Sequence, residues 1–169
     1  MGKRTVNILG LGPTLKNYKK DKNLTIGVND ICTFIKVDVL VLQDPPYNFT
    51  YSRYENIYSL PPALEVFSSQ PQWSNIFEVK PVYGIHENIK PGLDSTYLAI
   101  KVAVAYFDAK VINLYGVDFT GHPELTPKLE KLLSQYEELA LVLKQKGITL
   151  TCQKGSALEG VKNITPIET

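Results

Sequence analysis

Arginine, tryptophan, cysteine and histidine are scarce in this 169-residue chain, which has only two arginines (Arg4 and Arg53), one tryptophan, two cysteines and two histidines. With so few guanidinium groups, bidentate anion clamps are nearly excluded, and fixed phosphate contacts fall to backbone amides and hydroxyls. Cys32 and Cys152 cannot build the disulfide framework of a small secreted scaffold, and neither has zinc-type spacing to His86 or His122. No structural metal is expected, and both cysteines read as inert core thiols. No apolar run approaches the ~18 residues of a membrane helix. The opening MGKRTVNILGLGP is broken by Gly and Pro and reads as a first strand, so a cytoplasmic protein that does not enter the membrane is expected.

Charge of one sign is also missing: 18 Lys plus Arg against 17 Asp plus Glu leave +1, which removes the electrostatic footprint of a sequence-independent nucleic-acid binder. Hydrophobic residues at 44% and charged residues at 21% are enough for a core and too apolar for disorder. The length fits one domain spanning 1–169.

Residues 5–9 (TVNIL), 24–28 (LTIGV), 38–42 (DVLVL), 111–116 (VINLYG) and 148–152 (ITLTC) are short, aliphatic and bounded by turn residues. Near-continuous apolar strands of this kind predict a mostly parallel sheet with helices on both faces, a Rossmann-like α/β three-layer sandwich. Residues 95–107 (STYLAIKVAVAYF) are apolar almost all round and predict a buried helix with Asp94, Ser95 or Thr96 as its cap. A second helix is predicted from Pro127 to about Lys146, with Thr126 as N-cap and Gly147 past its end. Its buried stripe would be Leu129, Leu132, Leu133, Tyr136, Leu139, Ala140 and Leu143. Seven prolines interrupt 45–91, where only a short helix at 62–67 and a strand at 76–80 are expected. Tyr47, Phe49, Tyr51, Tyr54, Tyr58 and Arg53 crowd its first part and suggest a lid or a homo-oligomer interface rather than a single-strand nucleic-acid platform.

Polar loops follow the predicted strands: Gly10-Leu11-Gly12-Pro13-Thr14, Asn29-Asp30, Gln43-Asp44 and Gly116-Val117-Asp118, while Asp94-Ser95-Thr96 opens the buried helix. In a parallel α/β sheet the ligand crevice lies at the carboxyl ends of the strands, so all five converge on one side. Gly10 and Gly12 allow a tight turn that a phosphate can approach. The loop lacks the third glycine of a dinucleotide fingerprint and also fits a plain strand-to-helix turn. Thr14 reads equally as helix cap or phosphate ligand, and Asp118 as ribose ligand or turn cap. Asp44 is an acid, a base, a metal ligand or a turn-fixing residue. His122, four residues after Asp118, and His86 are general-base candidates or exposed loop histidines. Lys16, Lys19, Lys20 and Lys22 read as a solvated face, with Lys16 near enough to the first loop to neutralise a phosphate. Asp30, Asp44 and Asp118 together would be the carboxylates for a magnesium-nucleotide.

The string VNILGLGPTLKNY, then GVND, VLVLQDPP and STYLAIKVAVAYFDAKVINLYGVDFTG, resembles the nucleotide-binding core of the bacterial family 42 sialyltransferases and of the 6-hydroxymethylpterin diphosphokinase-like proteins. The resemblance spans about residues 5–118, and more weakly reaches 152. It implies that Gly10, Gly12, Pro13 and Thr14 face the phosphates or ribose and that Asn29 lies near nucleotide and donor. By the same resemblance Ser95 and Thr96 contact phosphate or donor polar groups, and Gly116 and Asp118 hold the nucleoside. The implied function is a small glycosyltransferase-like transferase that binds a nucleotide or nucleotide-sugar and requires no metal. A non-catalytic nucleotide-binding module, or magnesium-dependent diphosphokinase-like transfer from ATP, are the alternatives. The chain departs from the sialyltransferase pattern at Leu11 and Asp44, where the family carries asparagines. Only Phe119 to Thr126 stands where the family inserts a lid with its histidine, and His122 does not align with that base.

Overall fold

The structure is a computed structural model and describes residues 4–58, 65–75, 78–81, 94–119 and 126–167. Eight strands form one sheet: β1 (Thr5–Leu9), β2 (Leu24–Val28), β3 (Val39–Leu42), β4 (Glu65–Ser68), β5 (Val79–Pro81), β6 (Val111–Tyr115), β7 (Thr149–Gln153) and β8 (Ile164–Ile167). Their spatial order is β5-β4-β3-β2-β1-β6-β7-β8, and every neighbouring pair is parallel. The chain winds outward from β1 to β5, then crosses back to β6 beside β1. The topological switch point therefore lies between β1 and β6, with Leu9 opposite Tyr115.

Three α-helices accompany the sheet: α1 (Tyr51–Tyr58), α2 (Ser95–Phe107) and α3 (Leu129–Gln145). α2 begins and ends where the sequence predicts. Asp94 accepts from Thr96 N at its start, and at its end Asp108 turns left-handed at φ 49° while Ala109 N–H reaches back to Ala103 O at 3.1 Å. The left-handed residue turns the chain back on the last turn of the helix and ends it there. α3 starts two residues later than the Thr126 cap predicts, because Thr126–Lys128 form a 3-10 turn. Its buried residues are Leu132, Tyr136, Leu139, Ala140 and Leu143, all in the predicted stripe.

α2 and α3 lie on one face of the sheet, sharing a core with Val6, Ile8, Ile26, Val41, Ile112, Leu114 and Leu150. Each fully buried aliphatic side chain there contributes about 1.5–3 kcal/mol, which anchors α2 across the switch point. The opposite face carries Leu40, Leu42, Ile57, Val66 and Trp73.

The predicted helix over 62–67 is corrected at 65–67, since 62–64 lie outside the described residues: Glu65–Ser68 is a strand paired with β3, because Val66 and Phe67 point to opposite faces and each finds a core. The predicted strand over 76–80 is met at Val79–Pro81. Within 47–58, Phe49 and Tyr54 pack on Trp73 at ring separations of 5.8 and 6.3 Å. Arg53 donates Nε and Nη2 to Asp30 Oδ1 at 3.0 and 2.8 Å. These contacts fasten the segment to the sheet, while Tyr47 and Tyr58 stay 77% and 62% exposed.

Trp73 is fully buried and donates Nε1–H to Asp44 O at 2.7 Å. Trp73→Phe keeps an aromatic ring and removes that donor, so a loss of about 1–2 kcal/mol is expected, read from urea unfolding by circular dichroism. An unchanged midpoint would show that the carbonyl of Asp44 is satisfied without it. No described helix is long and apolar enough to cross a membrane.

Candidate functional site

At the switch point the loops that follow β1 and β6 pack backbone against backbone. Gly10 N–H donates to Tyr115 O at 2.8 Å and Gly12 N–H to Gly116 O at 2.7 Å. A Cβ on Gly12 would lie 2.5 Å from Asp118 Oδ2 and 2.7 Å from Gly116 O, so only glycine permits the approach. Gly116 itself is left-handed at φ +69°.

Thr14 ties the two loops together. Its N–H and its hydroxyl donate to Asp118 Oδ2 and Oδ1 at 2.7 and 2.5 Å, and its Oγ1 accepts from Gly116 N–H at 3.0 Å. Thr14 and Asp118 are 7% and 2% exposed, so these charge-assisted bonds are largely out of water. Each carboxylate oxygen of Asp118 accepts from Thr14 across 104 residues of chain, and the cap position of the 3-10 turn Pro13–Asn17 falls on Gly12. Among residues 10–15, Gly10, Gly12, Thr14 and Leu15 spend their N–H groups inside the protein and Pro13 has none. Leu11 N–H has no acceptor among the described residues, and its side chain is 45% exposed.

A second group gathers beyond β2. Asn29 is left-handed at φ 55°, a conformation asparagine tolerates better than most residues, and its Oδ1 accepts from Ser95 Oγ at 3.3 Å. The end of β2 is thereby joined to the first turn of α2, where Thr96 is buried. Asp44 stands half-buried after β3, and its carboxylate has no partner among the described residues. Asp30 faces Arg53 instead. Among the described residues no three His, Cys, Asp or Glu gather as metal ligands. With Asp30 committed to Arg53 and Asp118 to Thr14, the three carboxylates named for a magnesium-nucleotide do not form a fitting donor set. His122 and His86 lie outside the described residues, as does most of the loop where the lid would be.

Three residues that the sequence marks only as a cap, a stripe position and the start of a short connection prove to be part of the site's frame. Asp94, beside Ser95, accepts from Tyr136 OH at 3.0 Å to Oδ2 and 3.3 Å to Oδ1. Phe119, just past Asp118, is left-handed at φ 55°, an uncommon state for a bulky side chain, and its ring lies 5.4 Å from that of Tyr136. Burial pushes the Asp94 carboxyl up to about 6, against the hydrogen bond from Tyr136, which pulls it down. Burial first, then the neighbouring Asp94, raises the Tyr136 phenol well above its ordinary value.

The folded chain therefore holds the Asp94 proton more tightly than the unfolded chain does. The contribution of Asp94 to stability is fullest below its ordinary value of 3.8 and is lost as pH rises through about 6. Asp94→Asn keeps an acceptor without the charge. Relative to wild type it is expected to gain up to about 3 kcal/mol between about pH 4 and pH 7, read from urea midpoints across that range. A pH-independent difference would mean that the carboxyl titrates normally.

No family profile and no curated protein matches the chain. Solved structures do. The sialyltransferase CstII from Campylobacter jejuni in complex with the substrate analogue cytidine-5'-monophosphate matches at 17% identity and a TM-score of 0.58, over 96% of this chain and 85% of that one. A point mutant of the α-2,3/8-sialyltransferase CstII matches at 17% identity and a TM-score of 0.63, over 96% and 87%. The complex of CstII with CMP-3FNeuAc gives 17% and 0.60, over 96% and 86%. At the level of fold, these structures support the sialyltransferase-like side of the resemblance drawn from the sequence: the chain has the Rossmann-like α/β architecture of CstII.

Proposed function

We propose that this chain binds a nucleotide or nucleotide-sugar over the β1/β6 switch point and acts as a small, sialyltransferase-like transferase that takes a group from a nucleotide-activated donor. The observation that carries the reading is the pair of glycine loops locked together at the place where open parallel sheets bind ligands. The same fold in CstII has been crystallised with cytidine-5'-monophosphate and with CMP-3FNeuAc, which supports a cytidine nucleotide as the first ligand to try.

In this reading Gly10, Gly12, Pro13 and Gly116 shape the wall against which the nucleotide lies, and Leu11 N–H is the loop donor left for it. Thr14 and Asp118 hold that wall from behind. Asn29 and Ser95 offer the polar groups beyond β2, with Thr96 in the same helical turn. A transferase must remove a proton from its acceptor hydroxyl, and His122 is assigned that role, with Asp44 as a further acid or base. The charge of the leaving nucleotide would be met by the loop amide and the exposed Lys16.

Calorimetric titration with CMP, CDP, UDP and ATP tests the binding step. Saturable binding of a cytidine nucleotide is expected, and no binding of any of the four would refute the reading. Release of CMP from a CMP-sugar, lost in His122→Ala, tests the transferase step.

The mutual engagement of Thr14 and Asp118 favours a second reading, a nucleotide-binding module without catalysis. Binding without turnover would select it.

A further inference from the structure

We infer that Tyr136 is a positioning residue with two separate handles: its hydroxyl holds the first turn of α2 through Asp94, and its ring holds the loop after β6 through Phe119. Both held segments are walls of the crevice in the nucleotide-binding reading, on which this inference rests for its functional consequence. The strut itself stands on geometry alone.

Tyr136 is fully buried in the middle of α3, a helix that supplies none of the residues assigned to the ligand. A phenol out of water keeps its hydroxyl only where a partner receives it, and here the partner is the carboxylate that caps α2. Asp94 is thus held from two directions, by Thr96 N–H at 3.1 Å on its own helix and by Tyr136 OH from α3. The next residue, Ser95, is hydrogen-bonded to Asn29, so any tilt of this turn moves the polar pair beyond β2.

The ring does different work. Phe119 stands 5.4 Å away at 58°, and Tyr97 stands 5.7 Å away at 90°, an edge-on contact. Phe119 follows Asp118 directly, and its left-handed backbone has no glycine freedom to sustain it. Packing must hold it, and Tyr136 provides that packing. One side chain therefore sets the spacing between the turn carrying Ser95 and the loop carrying Gly116 and Asp118.

The two handles can be removed one at a time. Tyr136→Phe deletes the hydroxyl and keeps the ring, and Tyr136→Leu deletes both. Leu132→Ala, also on α3 and fully buried, serves as a control for general loss of stability. Amide hydrogen exchange is followed in the free protein. In Tyr136→Phe, exchange over 94–98 is expected to rise about tenfold, the effect of one lost charge-assisted hydrogen bond, while 116–119 stays at the wild-type rate. In Tyr136→Leu both segments should exchange faster than in Leu132→Ala. Equal rates over 94–98 in wild type and Tyr136→Phe would overturn the inference. So would acceleration in Tyr136→Leu no greater in these segments than in the control.

CMP titration of the same proteins adds the functional arm, where about tenfold weaker binding by Tyr136→Phe is expected. If wild type binds no CMP, the nucleotide reading falls, and the exchange rates still decide the strut.

Discussion

Gly116→Ala is expected to destabilise the chain by about 2–5 kcal/mol, a fall of roughly 4–20 °C in Tm for a domain of this size. Two effects add. The residue sits at φ +69°, where an alanine costs about 1–2 kcal/mol. Its Cβ would collide with Gly10 O, lie 2.7 Å from Gly10 C and 3.1 Å from Leu15 Cβ, with only backbone and a short stem to give way. Overpacking of that kind costs about 1–3 kcal/mol, and the displaced loop also strains the bond from Gly116 N–H to Thr14. Gly160→Ala is the matched control, because nothing lies within 4 Å of the added carbon; it should stay within about 0.5 kcal/mol of wild type. If Gly116→Ala melted with the control, the two loops would not be in backbone contact, and the crevice as described would be wrong.

The glycines illustrate how far residues alone can be read. Gly10, Gly12 and Gly116 stand out in the sequence because each follows an aliphatic strand, and all three do lie at strand ends. What the sequence does not display is that they are needed for one another: the Cβ that Gly10 lacks would fall 2.6 Å from Gly116 O, a contact made across more than a hundred residues of chain. The same limit hides the link between Thr14 and Asp118, where each residue is explained equally well by a local turn.

All-round apolar composition made α2 legible over its 13 residues, and the periodic stripe made α3 legible over its 17. It fails for α1, whose eight residues carry mostly polar and aromatic side chains and are fixed by contacts to Asp30 and Trp73. The edge strand β8 is missed for another reason: it contains Pro166, which argues against a strand within a sheet and is tolerated at an edge, where no further strand need pair. The reading of strands as near-continuous apolar runs also passes over a row of polar residues across the sheet. Asn113 donates to Asn7 at 3.4 Å, Thr151 to Asn113 at 2.8 Å, and Asn7 to Asp21 at 2.9 Å. Asn7, Asn113 and Thr151 satisfy one another in adjacent strands, with Asp21 joining from the loop before β2, a condition that only the strand order reveals.

Asp118→Ala should cost about 4 kcal/mol, because it strips two charge-assisted bonds and leaves the amide and hydroxyl of Thr14 buried without their acceptors. The size of that loss does not by itself separate a locking residue from a ligand residue, but a double-mutant cycle does. Thr14→Val removes the hydroxyl while keeping the shape, and should cost about 2 kcal/mol, since Gly116 N–H also loses its acceptor. If the carboxylate acts through Thr14, the double variant will be less destabilised than the sum of the single ones, with a coupling of about 1–2 kcal/mol. Thr14→Ser, which keeps the hydroxyl, should recover most of the loss. Additive costs would place the Asp118 carboxylate in contacts other than Thr14. Nucleotide titration of the same variants then divides the remaining possibilities. A carboxylate that only fixes the loop lets Thr14→Ser bind like wild type, and it makes Thr14→Val and Asp118→Ala lose affinity together. A carboxylate that also reaches the ribose makes Asp118→Ala the worse of the two by more than its excess in stability.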